Sequence, residues 1–280
     1  MRLVRPFILV LVLCSVLFEA PAFAQSKEAT DAASRLLVRS GLSVQLRGFS
    51  SQFAAQFGQQ RGKLPDNLII ELTNAAKEAF RPDVLQEDIV QGIAKKLKVD
   101  EMNGALAWLD SPLGERITRA EEASSGTMDE AALRKFGESL KDGKPPAARA
   151  KLISDVIAAS FAEDSTVRSL EAISLGVALG MDSMQPAQNR LGLERLQAKL
   201  KEAMPADKLK AQMRLVLPVM YAYTYRDIGD ADLAAYAAFL NGPVGKRYTL
   251  QLSEAFMEAL IRGSVRLGQL VDMNSTKRPT

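Results

Sequence analysis

Carboxylates are the reactive side chains that this sequence holds in quantity. Its 280 residues include 33 Asp and Glu, 36 Lys and Arg, one Cys and no His. The adjacent pairs Glu121-Glu122 and Asp129-Glu130 are of the kind that glycoside hydrolases use as acid and base. As solvated helix ends flanking Ser124-Ser125-Gly126 they need no chemistry, and that is the reading preferred. Without histidine, Ser-His and Cys-His catalytic pairs are excluded. The single cysteine, Cys14, sits in the N-terminal apolar stretch. A chain processed beyond it has no disulfide, no thiolate nucleophile and no His or Cys zinc site. No S-x-x-K or G-x-S-x-G motif occurs. The Gly-Lys steps at 62, 143 and 245 lack the upstream glycine and the following Ser or Thr of a phosphate loop. The composition favours a non-enzymatic protein with no catalytic residue, no cofactor and no metal.

Two further sets of residues invite a binding role. Arg116 and Arg247 each fall in the first turn of an expected helix, where free backbone N–H groups add to an anion site; an ion pair across the surface or between domains serves equally, and is favoured. All five tyrosines lie between Tyr221 and Tyr248. They line either a pocket or the packed core of a helical hairpin, core packing being favoured.

The elements that hold these residues follow from a repeat. Leu109-Asp110-Ser111-Pro112-Leu113-Gly114-Glu115-Arg116 returns as Leu240-Asn241-Gly242-Pro243-Val244-Gly245-Lys246-Arg247, 131 residues later. The same spacing pairs Trp108 with Phe239 and Thr118 with Thr249. In each copy one helix ends at Asp110 or Asn241, Ser111 or Gly242 takes the N-cap of the next, and Pro112 or Pro243 opens it where its missing N–H is harmless. Gly114 or Gly245, having no side chain, lets the two helices approach. Upstream, Asp83 pairs with Asp207 at a spacing of 124, so the second copy gains seven residues in between, about two helical turns.

Almost every remaining segment reads as helix. Phe49, Phe53 and Phe57 recur every fourth residue, as do Tyr248, Leu252, Phe256 and Leu260. Pro218 is expected to kink the helix that carries Tyr221, Tyr223 and Tyr225. Gly176 and Gly180, beside Arg168 and Glu171, suit tight packing within a water-soluble fold. Asp142-Gly143-Lys144-Pro145-Pro146 is the strongest break in the chain. The expectation is an all-α protein of two similar helical-bundle domains from an internal duplication, at 25–141 and 150–272, with a Pro-rich linker at 142–149 and a flexible tail at 273–280.

Residues 1–24 read as a secretory signal peptide: Arg2 and Arg5 precede an apolar run from Phe7 to Phe18, and Ala22-Phe23-Ala24 is a cleavage site. That run is too short to span a bilayer, which takes about 20 residues. The mature chain is expected to begin at Gln25 in the periplasm, with no transmembrane helix left. A net charge of +3, with basic and acidic residues interspersed, gives no sign of nucleic-acid binding; Lys95-Lys96-Leu97-Lys98 is better explained as a solvated helix face.

Tyr221, Tyr223 and Tyr225, then Asp232-Leu233, then Phe239-Leu240-Asn241-Gly242-Pro243-Val244-Gly245-Lys246 together resemble the signature of the domain-of-unknown-function 2059 family. The agreement is best over 206–262, and reaches the first half through the repeat. The pattern has serine where Gly242 stands; Ser111 keeps it in the first copy, which has Trp108 for the phenylalanine and lacks the tyrosine helix. The resemblance implies an exported, all-helical envelope protein and brings no known activity. The motif residues Ser111, Pro112, Gly114, Arg116, Tyr221, Tyr225, Phe239, Pro243, Gly245 and Arg247 are therefore expected to be structural first. The favoured function is a non-enzymatic binding or interaction module of the cell envelope, for an envelope protein or an apolar ligand. A carboxylate-dependent hydrolase and a carrier of an apolar ligand between helices stand as the alternatives.

Overall fold

The computed structural model describes residues 27–58, 61–62, 64–125, 130–142, 146–183 and 185–276. The expected signal segment and cleavage site lie outside these residues, as do Asp129, residues 143–145 of the expected linker and the end of the expected tail. Thirteen α-helices follow one another: α1 (Lys27–Arg39), α2 (Leu42–Gly58), α3 (Asp66–Ala79), α4 (Pro82–Lys96), α5 (Val99–Leu109), α6 (Pro112–Ser125), α7 (Glu130–Asp142), α8 (Ala147–Ala159), α9 (Ala162–Ser183), α10 (Gly192–Ala203), α11 (Ala206–Thr224), α12 (Asp230–Asn241) and α13 (Pro243–Thr276). The protein is all-α: among the described residues the only extended pairing is an isolated bridge, Arg61 with Leu64. No helix among them is long and apolar enough to cross a membrane. A tail was expected from residue 273, but α13 runs on to Thr276, its stripe continued by Leu267, Leu270 and Val271 against the core.

Two apolar cores form, and they do not divide at 142–149. The first gathers α1 to α5 but also takes Ala172 of α9 and Ala255, Leu260, Leu267 and Val271 of α13. The second gathers α8, α11 and α12 but takes Ile117 of α6. The first half thus sends Ile117 of α6 into the second core, and the second half sends α13 into the first. Two independent bundles on a linker would each have kept their own helices.

Phenylalanines fill the first core. The Phe53 and Phe80 rings lie 4.3 Å apart, and Phe49 meets Phe256 of α13 edge-on at 6.4 Å. α13 is held along α4 by charge as well: Asp88 accepts from Arg262 (2.9 Å) and Arg266 (2.8 Å), and Lys96 meets Glu258 at 2.8 Å. A Cβ on Gly92 would stand 2.9 Å from that of Ala255, and one on Gly176 2.7 Å from Ser264 Oγ. Both glycines are therefore sites of close helix contact, Gly176 joining α9 to α13.

The helix turns recur as well. In α1–α2 the Ser40 hydroxyl donates to the Leu37 carbonyl (3.0 Å) and Gly41 adopts φ 74°. In α8–α9 the Ser160 hydroxyl donates to the Ile157 carbonyl (3.2 Å) and Phe161 adopts φ 55°. A positive φ is costly for a bulky residue such as phenylalanine. The two turns lie 120 residues apart.

Candidate functional site

The paired turns sit where the halves meet. Ser111 Oγ accepts from the Gly114 N–H (3.0 Å) and donates to the Trp108 carbonyl (2.6 Å), so it caps α6 while tying it to α5. At the second motif Gly242 has no hydroxyl to cap α13, and only the backbone bond is kept: its N–H donates to the Phe239 carbonyl at 3.0 Å, as the Ser111 N–H does to that of Trp108. A Cβ on Gly114 would fall 2.9 Å from Leu109 Cα, and one on Gly245 3.0 Å from Leu240 Cα, each closer still to a carbonyl oxygen. Glycine is a packing requirement at both positions. Pro112 and Pro243 are the first residues of α6 and α13.

Across this junction the contacts are reciprocal. Arg116 of α6 pairs with Asp232 of α12 at 2.7 Å, and Arg247 of α13 pairs with Glu101 of α5 at 3.4 Å. Glu101 and Asp232 are themselves 131 residues apart, as the arginines are. Arg247 also donates to the Lys96 carbonyl (3.1 Å) and Arg116 to that of Pro112 (3.3 Å). Both arginines are engaged in ion pairs between halves, which leaves the anion reading without support. Between them the Trp108 and Phe239 rings stack 4.1 Å apart and 6° from parallel, and Tyr236 stacks on the other contact of Trp108 at 5.3 Å.

Beside this stack lies a carboxyl group held by two phenols. Tyr225 Oη donates to Glu121 Oε1 at 2.6 Å and Tyr236 Oη to the same oxygen at 2.8 Å. Glu121 was expected at a solvated helix end, and this is a correction: the α6 face that points at α11 and α12 carries it beneath the tyrosine rings. Burial pushes its carboxyl above the usual range, while the two phenol donors pull the other way. Burial, and next the Glu121 charge, push Tyr225 and Tyr236 well above an ordinary phenol. Burial, helped by the Glu121 charge, takes Tyr221 up to about 12, against a hydrogen bond with Ser160 at 3.2 Å. Tyr225, Tyr236 and Tyr248 are buried, and Tyr221 packs against the second core. Tyr223 faces away from them, edge-on to Phe136 of α7 at 5.4 Å, with the Arg226 guanidinium over its ring. Arg149, which no sequence motif singled out, donates to the Tyr225 and Ile228 carbonyls (2.6 and 2.7 Å) and to Asp230 (2.6 Å). It fixes the loop between α11 and α12, and with it the Tyr225 ring.

This centre is closed rather than open. Glu122 turns toward α1–α2 instead of joining Glu121, its Cγ 2.9 Å from where a Cβ on Gly41 would lie. The concave sites lie elsewhere. A cleft of about 190 Å³ opens between α9, α10 and α13, floored by Ala172, Leu175, Leu200, Met257 and Ile261 and rimmed by Arg168, Glu171 and Lys201. Neither Arg168 nor Lys201 has an ion-pair partner among the described residues. No group of His, Cys, Asp or Glu among those residues could hold a metal ion.

Residues 83–140 match the model of a family described as "Uncharacterized protein conserved in bacteria (DUF2059)". The match runs from α4 to α7 and includes the capping Ser111, whereas the sequence resemblance was expected to be best over 206–262, outside it. No curated protein and no solved structure matches the chain.

Proposed function

We propose that this is an exported, non-enzymatic binding protein of the bacterial envelope, and that the cleft between α9, α10 and α13 takes an amphipathic anion: an apolar chain or ring bearing a carboxylate or sulfonate. The observation that carries this reading is the pairing of an apolar floor with the unpaired Arg168 and Lys201. Glu121 speaks against the hydrolase alternative, because its Oε1 accepts from two phenols and its neighbour Glu122 turns toward α1–α2. Titration with anilinonaphthalene sulfonate, displaced by dodecanoate, tests the site. Saturable binding should weaken about fivefold or more in the Arg168→Ala/Lys201→Ala double variant, each exposed cation contributing up to about 1 kcal/mol. Equal binding by variant and wild type would sink the proposal. Export is tested by intact mass: the periplasmic protein should begin at Gln25, and one still carrying residues 1–24 would contradict it.

The chain is further read as two copies of one helical unit, in which α6 and α7 of the first copy answer to the single long α13 of the second, and these terminal segments reach across to the other copy. The reciprocal ion pairs of Arg116 and Arg247, the stack of Trp108 on Phe239, and the matched turns at Ser40 and Ser160 support this. An isologous contact has this form, residue i touching j wherever j touches i. In a single chain it describes a pseudo-dimer.

A further inference from the structure

The duplicated reading makes each position of one half a control for the other, and the comparison exposes one uncovered face. At the spacing of 124, the inner residues Leu85, Ile89 and Ile93 of α4 correspond to Leu209, Met213 and Leu217 of α11. The register is sound, since Leu217, like all three of the α4 residues, is buried. The outer residues of α4 are Val84, Asp88 and Gly92; those of α11 are Lys208, Gln212 and Val216. On α4 that outer face is covered by α13, with Ala255 against Gly92 and Arg262 and Arg266 on Asp88. On α11 the corresponding helix of the first copy, α7, docks further along, placing Phe136 on Tyr223 and Gly137 by Val219. Val216 is left 43% exposed and Leu215 78% exposed.

We infer that this outer face of α11, around Gln212, Leu215 and Val216, is the docking site for an amphipathic helix of a partner protein, seated as α13 is seated on α4 and bearing acid where α13 bears Arg262 and Arg266. The occupant follows from what covers the equivalent face and from the exchanged charge. Asp88 is replaced by neutral Gln212, and Val84 by Lys208, which has no ion-pair partner among the described residues. A basic helix suits the first face; an acidic one suits the second. Small residues like Ala255 and Ala259 let such a helix come close, and Leu215 and Val216 supply the apolar area that drives docking. The inference rests on the duplication for its register, and is independent of the cleft.

The probe is a labelled peptide of residues 254–272 carrying R262E and R266E, followed by fluorescence anisotropy on the full mature protein. Saturable binding is expected, weakened at least tenfold by Val216→Glu or Leu215→Glu. Both positions are exposed, so melting curves of these variants should match wild type. Arg168→Ala/Lys201→Ala should leave peptide binding unchanged. The unmodified peptide should bind several-fold more weakly, and Lys208→Val/Gln212→Asp should reverse that preference. No saturable binding, or binding indifferent to both glutamates, overturns the docking face; so does binding lost only in the cleft variant. Sensitivity to Val216→Glu without the reversal would keep the face and instead refute the register that the duplication supplies.

Discussion

Trp108 and Phe239 stack with ring centroids 4.1 Å apart and planes 6° from parallel, and they hold the same place in two copies of one sequence motif. A residue that meets its own counterpart must lie on the axis relating the copies, if they are related by a two-fold. The arginine pairs then fall on either side of that axis: Arg116 with Asp232, Arg247 with Glu101. Four consequences can be measured.

Gly245→Leu should lower stability by about 1 to 3 kcal/mol, because its side chain would be driven into the Phe239 carbonyl and the Leu240 backbone. Arg247→Ala breaks one half-exposed pair and should cost roughly 0 to 1 kcal/mol. Thermal melts should therefore rank wild type, Arg247→Ala and Gly245→Leu in that order. Added phosphate should shift all three alike; stabilisation by phosphate lost only in Arg247→Ala would revive an anion site.

The two ion pairs across the junction should behave as equivalents. Double-mutant cycles on Arg116 with Asp232, and on Arg247 with Glu101, should each give a coupling of about 0.2 to 1 kcal/mol that shrinks in high salt. The shorter Arg116 pair, at 2.7 Å against 3.4 Å, should be the stronger. A coupling near zero for both would mean that the reciprocity is geometric only.

Glu121 gives the fold a pH dependence of definite sign. Burial raises its carboxyl above the unfolded value, so the protonated form is the one the folded state prefers. That contribution is complete below the unfolded range, near 4.3, and is lost as pH rises through the raised folded value. Glu121→Gln keeps an acceptor for the tyrosines and cannot ionise. The melting temperature of wild type, taken relative to Glu121→Gln, should fall as pH rises from about 4 through the raised folded value; a rise instead would show that the phenol bonds outweigh burial.

The halves should not fold apart. A fragment of residues 25–142 lacks α13 and α9 and would leave Phe53, Phe80 and the outer side of α4 open to water. Produced separately, each half should give a poorly cooperative melt or aggregate, whereas coexpressed halves should copurify as one species on size exclusion. Two stable, monomeric fragments would refute the crossing of terminal segments between halves.

Turn chemistry made part of this legible from sequence. Proline at a helix start and glycine two residues on have few other uses, so Pro112 with Gly114 and Pro243 with Gly245 placed the two helix turns directly. The earlier pair of turns was hidden, because Gly41 is matched by Phe161, and only the shared positive φ and the serine before it reveal the kinship. A break such as Asp142 to Pro146 does not say which core the neighbouring helices join: Ala172 of α9 and Ala255 of α13 lie with α1 to α5. Glu121 was misjudged because its partners, Tyr225 and Tyr236, lie more than a hundred residues away. One signal could have found it. At the spacing of 131 its counterpart is Leu252, an apolar residue in the stripe of α13, and a carboxylate at such a position must be satisfied from across the interior.

Trp108 is also the sole tryptophan of the sequence. Nature has thus placed one intrinsic fluorophore at the seam, sandwiched with Phe239 and Tyr236. Its emission spectrum and quenching by acrylamide report the parting of the halves and little else, so unlabelled protein can be watched opening at the junction while far-ultraviolet dichroism follows the helices themselves.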